Sequence, residues 1–157
     1  MTLSDRVVIM SAGRIVQDST PEDVYRNPAS AFVADFIGHS NLIDAKVETA
    51  DPTRLNFLGR AYACQSCSGL SIGQPVKALL RPEAIQLFRE KPEGYENWVE
   101  GSILDVTFKG PYVDYLVDVS PFRLKVHQSL YEGVTVFGRG ESVHLAWCAE
   151  DMLVLSA

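Results

Sequence analysis

Three cysteines among 157 residues are too few for a disulfide scaffold, and their odd number leaves at least one unpaired. Cys64 and Cys67 form a lone C-x-x-C. Zinc would need two more ligands there, and only Cys148 and three histidines that share no ligand spacing are on offer. The pair therefore reads as strand or turn cysteines of a reducing compartment. No apolar run approaches the roughly 20 residues needed to cross a bilayer. "MTLSDRVVIM" also lacks the basic start and apolar centre of a signal peptide, so the chain reads as neither secreted nor membrane-spanning. Basic residues are scarce as well, 14 against 20 acidic, for a net charge of −6. The acidic excess is spread over the chain: residues 1–40 carry three basic and five acidic side chains, residues 41–157 eleven and fifteen. Nucleic-acid binding needs a positive field, and this balance argues against it. A G-x-x-x-x-G-K-[ST] loop that would cradle phosphates is absent too.

What is present suits a globular protein with a real core: 46% hydrophobic and 22% charged residues. The first 40 residues read as one unit. "LSDR" resembles a helix tail, and Val7–Met10 and Arg14–Gln17 form a hairpin turned by "SAG". Thr20 is placed as an N-cap with Pro21 at the first helical position, and Glu22 and Asp23 set negative charge at the positive end of the helix dipole. Pro28 stops that helix. A second helix follows in "ASAFVADFIG", where Phe32, Val33, Phe36 and Ile37 fall on one face and predict a packing or dimer surface.

After Asn41 the period drops to two, and turn signals recur every ten residues or so. Strands are expected at 42–48, 54–58, 60–65, 75–80, 84–88, 99–108, 112–119, 122–127, 143–147 and 152–155, with "REKPEGYEN" at 89–97 as a loop between two halves. "YVDYLVDV" puts Val113, Tyr115, Val117 and Val119 on one face, and Asp114, Leu116 and Asp118 on the other. Many short strands and little helix predict a mainly β fold, an OB-like antiparallel barrel preceded by a short hairpin-plus-helix unit.

"LSDRVVIMSAGRIVQDSTPEDVYRNPASAFVADFIGHSNLI" resembles the stretch that closes the ATPase domain of ABC importers, without a gap over about 40 residues. Ser19 stands where that family has glycine, which implies a locally altered turn. "ALLRPEAIQLF", "GSILDVTFKGPYVDYLVDV" and "GESVHLAWCAEDMLVL" resemble, in the same order, the family's transport-associated OB (TOBE) domain. The resemblance implies residues 1–40 as the end of a nucleotide-binding domain and 41–157 as a regulatory domain. It implies a C-terminal piece of a longer subunit, without catalytic residues, cofactor or metal of its own, while ATP and magnesium belong to the full-length parent. It also implies a homodimer on the cytoplasmic face of the membrane, working with permease subunits and a solute-binding protein. The imported solute is expected to be a polyamine such as spermidine or putrescine, or ferric iron. A different class stays open: a free-standing barrel that senses a small oxyanion or metal ion.

Five residues stand out as candidate ligand or subunit contacts. Arg81 and Glu83 in "LRPE" would meet a partner or small anion, or Arg81 would simply pair with a nearby carboxylate. Lys109, Gly110 and Tyr112 lie at a hairpin tip, where OB barrels bind ligands and where any tight turn also needs glycine. Trp98 and Trp147 read as core or interface aromatics.

Overall fold

The structure is a computed structural model that describes residues 5–38 and 40–156. Leu3 and Ser4 of the expected helix tail, and His39, lie outside the described residues. Strands β1 (Val7–Ser11) and β2 (Arg14–Ser19) pair antiparallel around Ala12 and Gly13, both at positive φ. Ser19 closes β2 opposite Val7 and is not at positive φ, so serine fits there without strain.

Helix α1 (Pro21–Arg26) begins as its sequence dictates, with Thr20 Oγ1 accepting from the Asp23 N–H at 3.3 Å. Helix α2 (Ala31–Ile37) is capped by Ser30 in the same way. An isolated hairpin is marginal in water, and this one is not isolated. Ile9 is buried with Val24 and Val33, and Val7, Val16 and Ile37 pack around them. The Gln17 side chain donates to the Asn27 carbonyl at 3.0 Å and accepts from the Ala29 N–H at 2.8 Å.

The expected apolar face of α2 is only partly used within the chain. Val33 and Ala34 are buried and Ile37 packs behind them, whereas Phe32 and Phe36 point outward, 47% and 68% exposed. The small Ala34 decides this, because it seats the helix against Leu79 and Leu155 of the β region.

That β region is mainly β and OB-like. Strands β3 (Asn41–Ala50), β4 (Thr53–Phe57), β5 (Arg60–Ala63) and β6 (Pro75–Leu80) form one sheet, completed by β12 (Met152–Ser156) in the order β5-β4-β3-β6-β12. Strands β8 (Asn97–Phe108), β9 (Tyr112–Val119), β10 (Phe122–Ser129) and β11 (Ser142–Trp147) form the other, completed by β7 (Gln86–Phe88) in the order β10-β9-β8-β11-β7. Every pairing is antiparallel, and both curled sheets face one core that runs from Ile43, Leu55 and Leu80 to Ile103, Val117 and Trp147. The strand expected from residue 84 starts at Gln86. Pro82 opens a 3₁₀ turn over Pro82–Ala84, because its ring fixes φ and removes a ladder donor.

The two strand orders are the same order twice. Each half runs as a three-strand meander, a fourth strand beside the first, a 3₁₀ turn, and a last strand given to the other half. Register confirms the correspondence: Lys77 faces Asp44 and Leu155, and His144 faces Glu100 and Phe88. The segments "GQPVKALLRPEAIQLF" at 73–88 and "GESVHLAWCAEDMLVL" at 140–155 thus occupy equivalent places. So do Asn41 and Asn97, each at the start of its half and each buried. The Asn41 side chain exchanges two hydrogen bonds with the Lys125 backbone on β10, at 2.8 and 2.7 Å. Asn97 does the same with Ala63 on β5, at 2.8 and 2.9 Å. A side-chain amide carries the donor and acceptor of a peptide group, so each asparagine stitches an edge of one sheet to the other.

Candidate functional site

The outer face of the β8–β9–β10 meander is the floor of a cleft of about 640 Å³, roofed by α1, Gly38 and the first 3₁₀ turn. The strand period sets the floor. Thr107, Asp114 and His127 form one cross-strand row, and Asp105, Leu116 and Lys125 the next. Lys109 Nζ lies 2.6 Å from Asp114 Oδ2, and His127 Nδ1 lies 2.7 Å from Asp114 Oδ1. The Tyr112 ring tilts against the His127 ring with centroids 4.4 Å apart. Burial opposes ionisation of Asp114, but the hydrogen bonds from Lys109 and His127 outweigh it and hold the carboxyl below its ordinary range. The same pairing raises Lys109.

The roof is held by Arg81, which is only 8% exposed. Its Nη1 donates to Ser40 Oγ at 2.6 Å, its Nη2 donates to the Tyr25 carbonyl at 2.7 Å, and its Cζ sits 4.2 Å from the Tyr25 ring centroid. Among the described residues no carboxylate forms an ion pair with Arg81, and its Nε has no partner. The expected local ion pair is therefore absent. Burial pushes the guanidinium pKa down. Glu83 instead accepts from the Tyr25 hydroxyl.

Arg81, Glu83, Lys109 and Tyr112, distant in sequence, thus line one cleft, while Gly110 stays in the turn at φ 74° and does not line it. Tyr25, Asp114, Lys125 and His127 join them and were not singled out from sequence. Asp114 was legible as an outward position of β9; Tyr25 was legible only as part of the family pattern. Among the described residues no serine or cysteine lines the cleft, and no group of three or more metal-ligating side chains converges.

The other candidates lie elsewhere. Trp147 is in the core, and Trp98 sits on the far side, with Arg60 and Lys91 each 4.9 Å from its ring. Burial pushes the Cys64 thiol up to about 11, which makes it a poor nucleophile or metal ligand.

Residues 78–155 match the TOBE domain family. The chain is 36% identical over 129 residues to a spermidine/putrescine import ATP-binding protein of Acetivibrio thermocellus, covering 82% of this chain and 35% of that protein. With the corresponding protein of Clostridium novyi it shares 34% identity over 149 residues, covering 92% and 41%. The chain therefore spans well under half the length of the curated relatives it matches. Among solved structures it is similar to a cytoplasmic molybdate-binding protein, ModG, with a TM-score of 0.62 at 11% identity, covering 74% of this chain and 96% of that one. At that identity the likeness is one of fold.

Proposed function

From the premise that this chain carries a TOBE domain and is homologous to the C-terminal region of ABC-importer ATP-binding subunits, we propose that it is the non-catalytic regulatory region of a polyamine import ATPase. Residues 1–40 would be the end of the nucleotide-binding domain, and 41–157 the regulatory domain. In this reading the parent subunit binds ATP and magnesium and works as a dimer, at the cytoplasmic face of the membrane, with permease subunits and a solute-binding protein. The regulatory domain biases the relative position of the two ATPase domains. A partner that favours one arrangement shifts the balance by its differential affinity, typically about 1–3 kcal/mol.

The observation that carries the reading is the seating of the N-terminal unit on the TOBE-bearing barrel. Ala34 packs on Leu79 and Leu155, and Arg81 is gripped by Tyr25 and Ser40. Such a seat lets a change in either part be felt by the other. The test uses the full-length subunit assembled with its permease in proteoliposomes. Removal of residues 41–157 should leave basal ATP hydrolysis while spermidine uptake falls or loses its regulation. Unchanged uptake and regulation would overturn the reading, as would ATP turnover by the 157-residue chain itself.

The likeness of fold to the molybdate-binding protein favours a second reading, a free-standing barrel that senses a small oxyanion or metal ion. Calorimetry of the chain with molybdate, sulfate, ferric ion and spermidine separates the two. Saturable binding of an oxyanion or ferric ion, by a chain that forms no subunit with an ATPase domain, would favour the sensor.

A further inference from the structure

We propose that Arg81 is the positioning residue that fixes the N-terminal unit to the first half of the barrel, and that the Tyr25–Glu83 contact beside it is the releasable part of the same joint. Its regulatory meaning rests on the reading above; the joint itself does not.

Arg81 belongs to the barrel, between β6 and the first 3₁₀ turn, yet none of its partners does. The Tyr25 carbonyl and ring come from α1, and Ser40 from the connection into β3. Ser40 Oγ in turn donates to the Ala34 carbonyl at 3.0 Å, which ties α2 into the same cluster. Burying a cation without a counterion is costly, and here only dipoles and an aromatic face offset that cost. Displacing the N-terminal unit would return the guanidinium to water. Docking of the unit and burial of Arg81 are therefore one event, which is the signature of a joint and not of a barrel core residue.

The internal repeat supplies a comparison within the same molecule. The position equivalent to Arg81 in the second half is Cys148, which is exposed, while Glu150 stands where the first half has Glu83. The two halves share fold and carboxylate but not the guanidinium. The N-terminal unit thus selects one of two similar seats, and Arg81 marks the chosen one.

Tyr25 and Glu83 differ from Arg81 in exposure: their contact is an exposed one, and both side chains line the cleft. The contact can therefore exchange with water while Arg81 stays buried.

Hydrogen exchange on the 157-residue chain, read peptide by peptide, tests the joint without any nucleotide assay, so its outcome is separable from that of the proposed function. In R81Q, peptides around Ile9, Val24 and Val33 should exchange at least tenfold faster, with β8 and β9 peptides unchanged. R81K should not restore protection, because an ammonium cannot stack on Tyr25 while reaching two acceptors in a planar fork. Y25F and E83A, which each remove one side of the contact, should each accelerate the same peptides by a smaller and equal factor. The proposal is overturned if R81Q leaves those peptides unchanged, if it accelerates barrel and N-terminal peptides alike, or if R81K restores protection. Should R81Q not fold, Y25F, E83A and their double variant decide: a double effect equal to each single supports the joint, and additive effects overturn it.

Discussion

Gly101 shows how much one hydrogen atom can decide. A Cβ built there would lie 2.7 Å from the Asp118 carbonyl oxygen and 2.8 and 2.9 Å from methyls of Val117 and Val119. The glycine is needed for close approach of β8 to β9 and not for an unusual φ. Gly101→Ala should destabilise the chain by about 2 kcal/mol through overpacking, read as a lower urea midpoint at constant slope. Asp114 decides something different. Its pKa is lowered in the folded state, so between the folded and unfolded values the unfolded chain binds the extra proton. Its stabilising contribution is complete above the ordinary carboxylate range and fades as pH falls through the lowered folded value. Asp114→Asn should flatten that acid limb in pH-dependent melting. An unaltered limb would remove Asp114 from the account. The outward alternation of β9 made Asp114 legible in the sequence; the contact partners Lys109 and His127 were not, because cross-strand register depends on turn geometry.

At the scale of elements, the caps and turns followed local chemistry. Thr20 and Ser30 start helices where their side-chain oxygens take up free N–H groups, Pro21 brings no N–H to satisfy, and such effects act within one turn of chain. The helical period puts Phe32, Val33, Phe36 and Ile37 on one face but cannot say which of them meets the same chain: Val33 is buried, while Phe32 and Phe36 stay exposed. A small alanine won over two phenylalanines. The edge stitches are likewise tertiary. Asn41 and Asn97 look in sequence like polar residues at strand starts, yet each satisfies a backbone N–H and C=O on the opposite sheet. Asn41→Ala and Asn97→Ala should each cost about 2–5 kcal/mol, since in each a backbone N–H and C=O lose their partners. Thermal melts of the two variants should shift by similar amounts if the halves are equivalent; a loss confined to one would break the correspondence.

For the whole molecule, the fold is one design used twice, with the last strands exchanged. The exchange makes neither half complete alone, so the two sheets should unfold together. The N-terminal unit is added on one side and leaves an apolar surface open: Val8, Met10 and Ile15 of the hairpin, and Phe32 and Phe36 of α2. Exposed apolar area of this kind favours association. The chain should self-associate with rising concentration in light scattering, and Phe36→Glu should suppress this without lowering its melting temperature. A wild-type chain that stays monomeric at high concentration would contradict the expectation.

The amino-acid order alone determined the local and periodic features: helix starts, turns, alternating strands, the mainly β class and the resemblance to an importer ATPase tail. These depend on interactions among residues a few positions apart, or on patterns that survive in short segments. The tertiary structure alone decided the exchange of terminal strands, the doubled architecture hidden by divergent side chains, and the meeting of Tyr25 with Arg81 across 56 positions. Such contacts form only once two sheets close over a common core, and no local pattern along the chain encodes the distance between them.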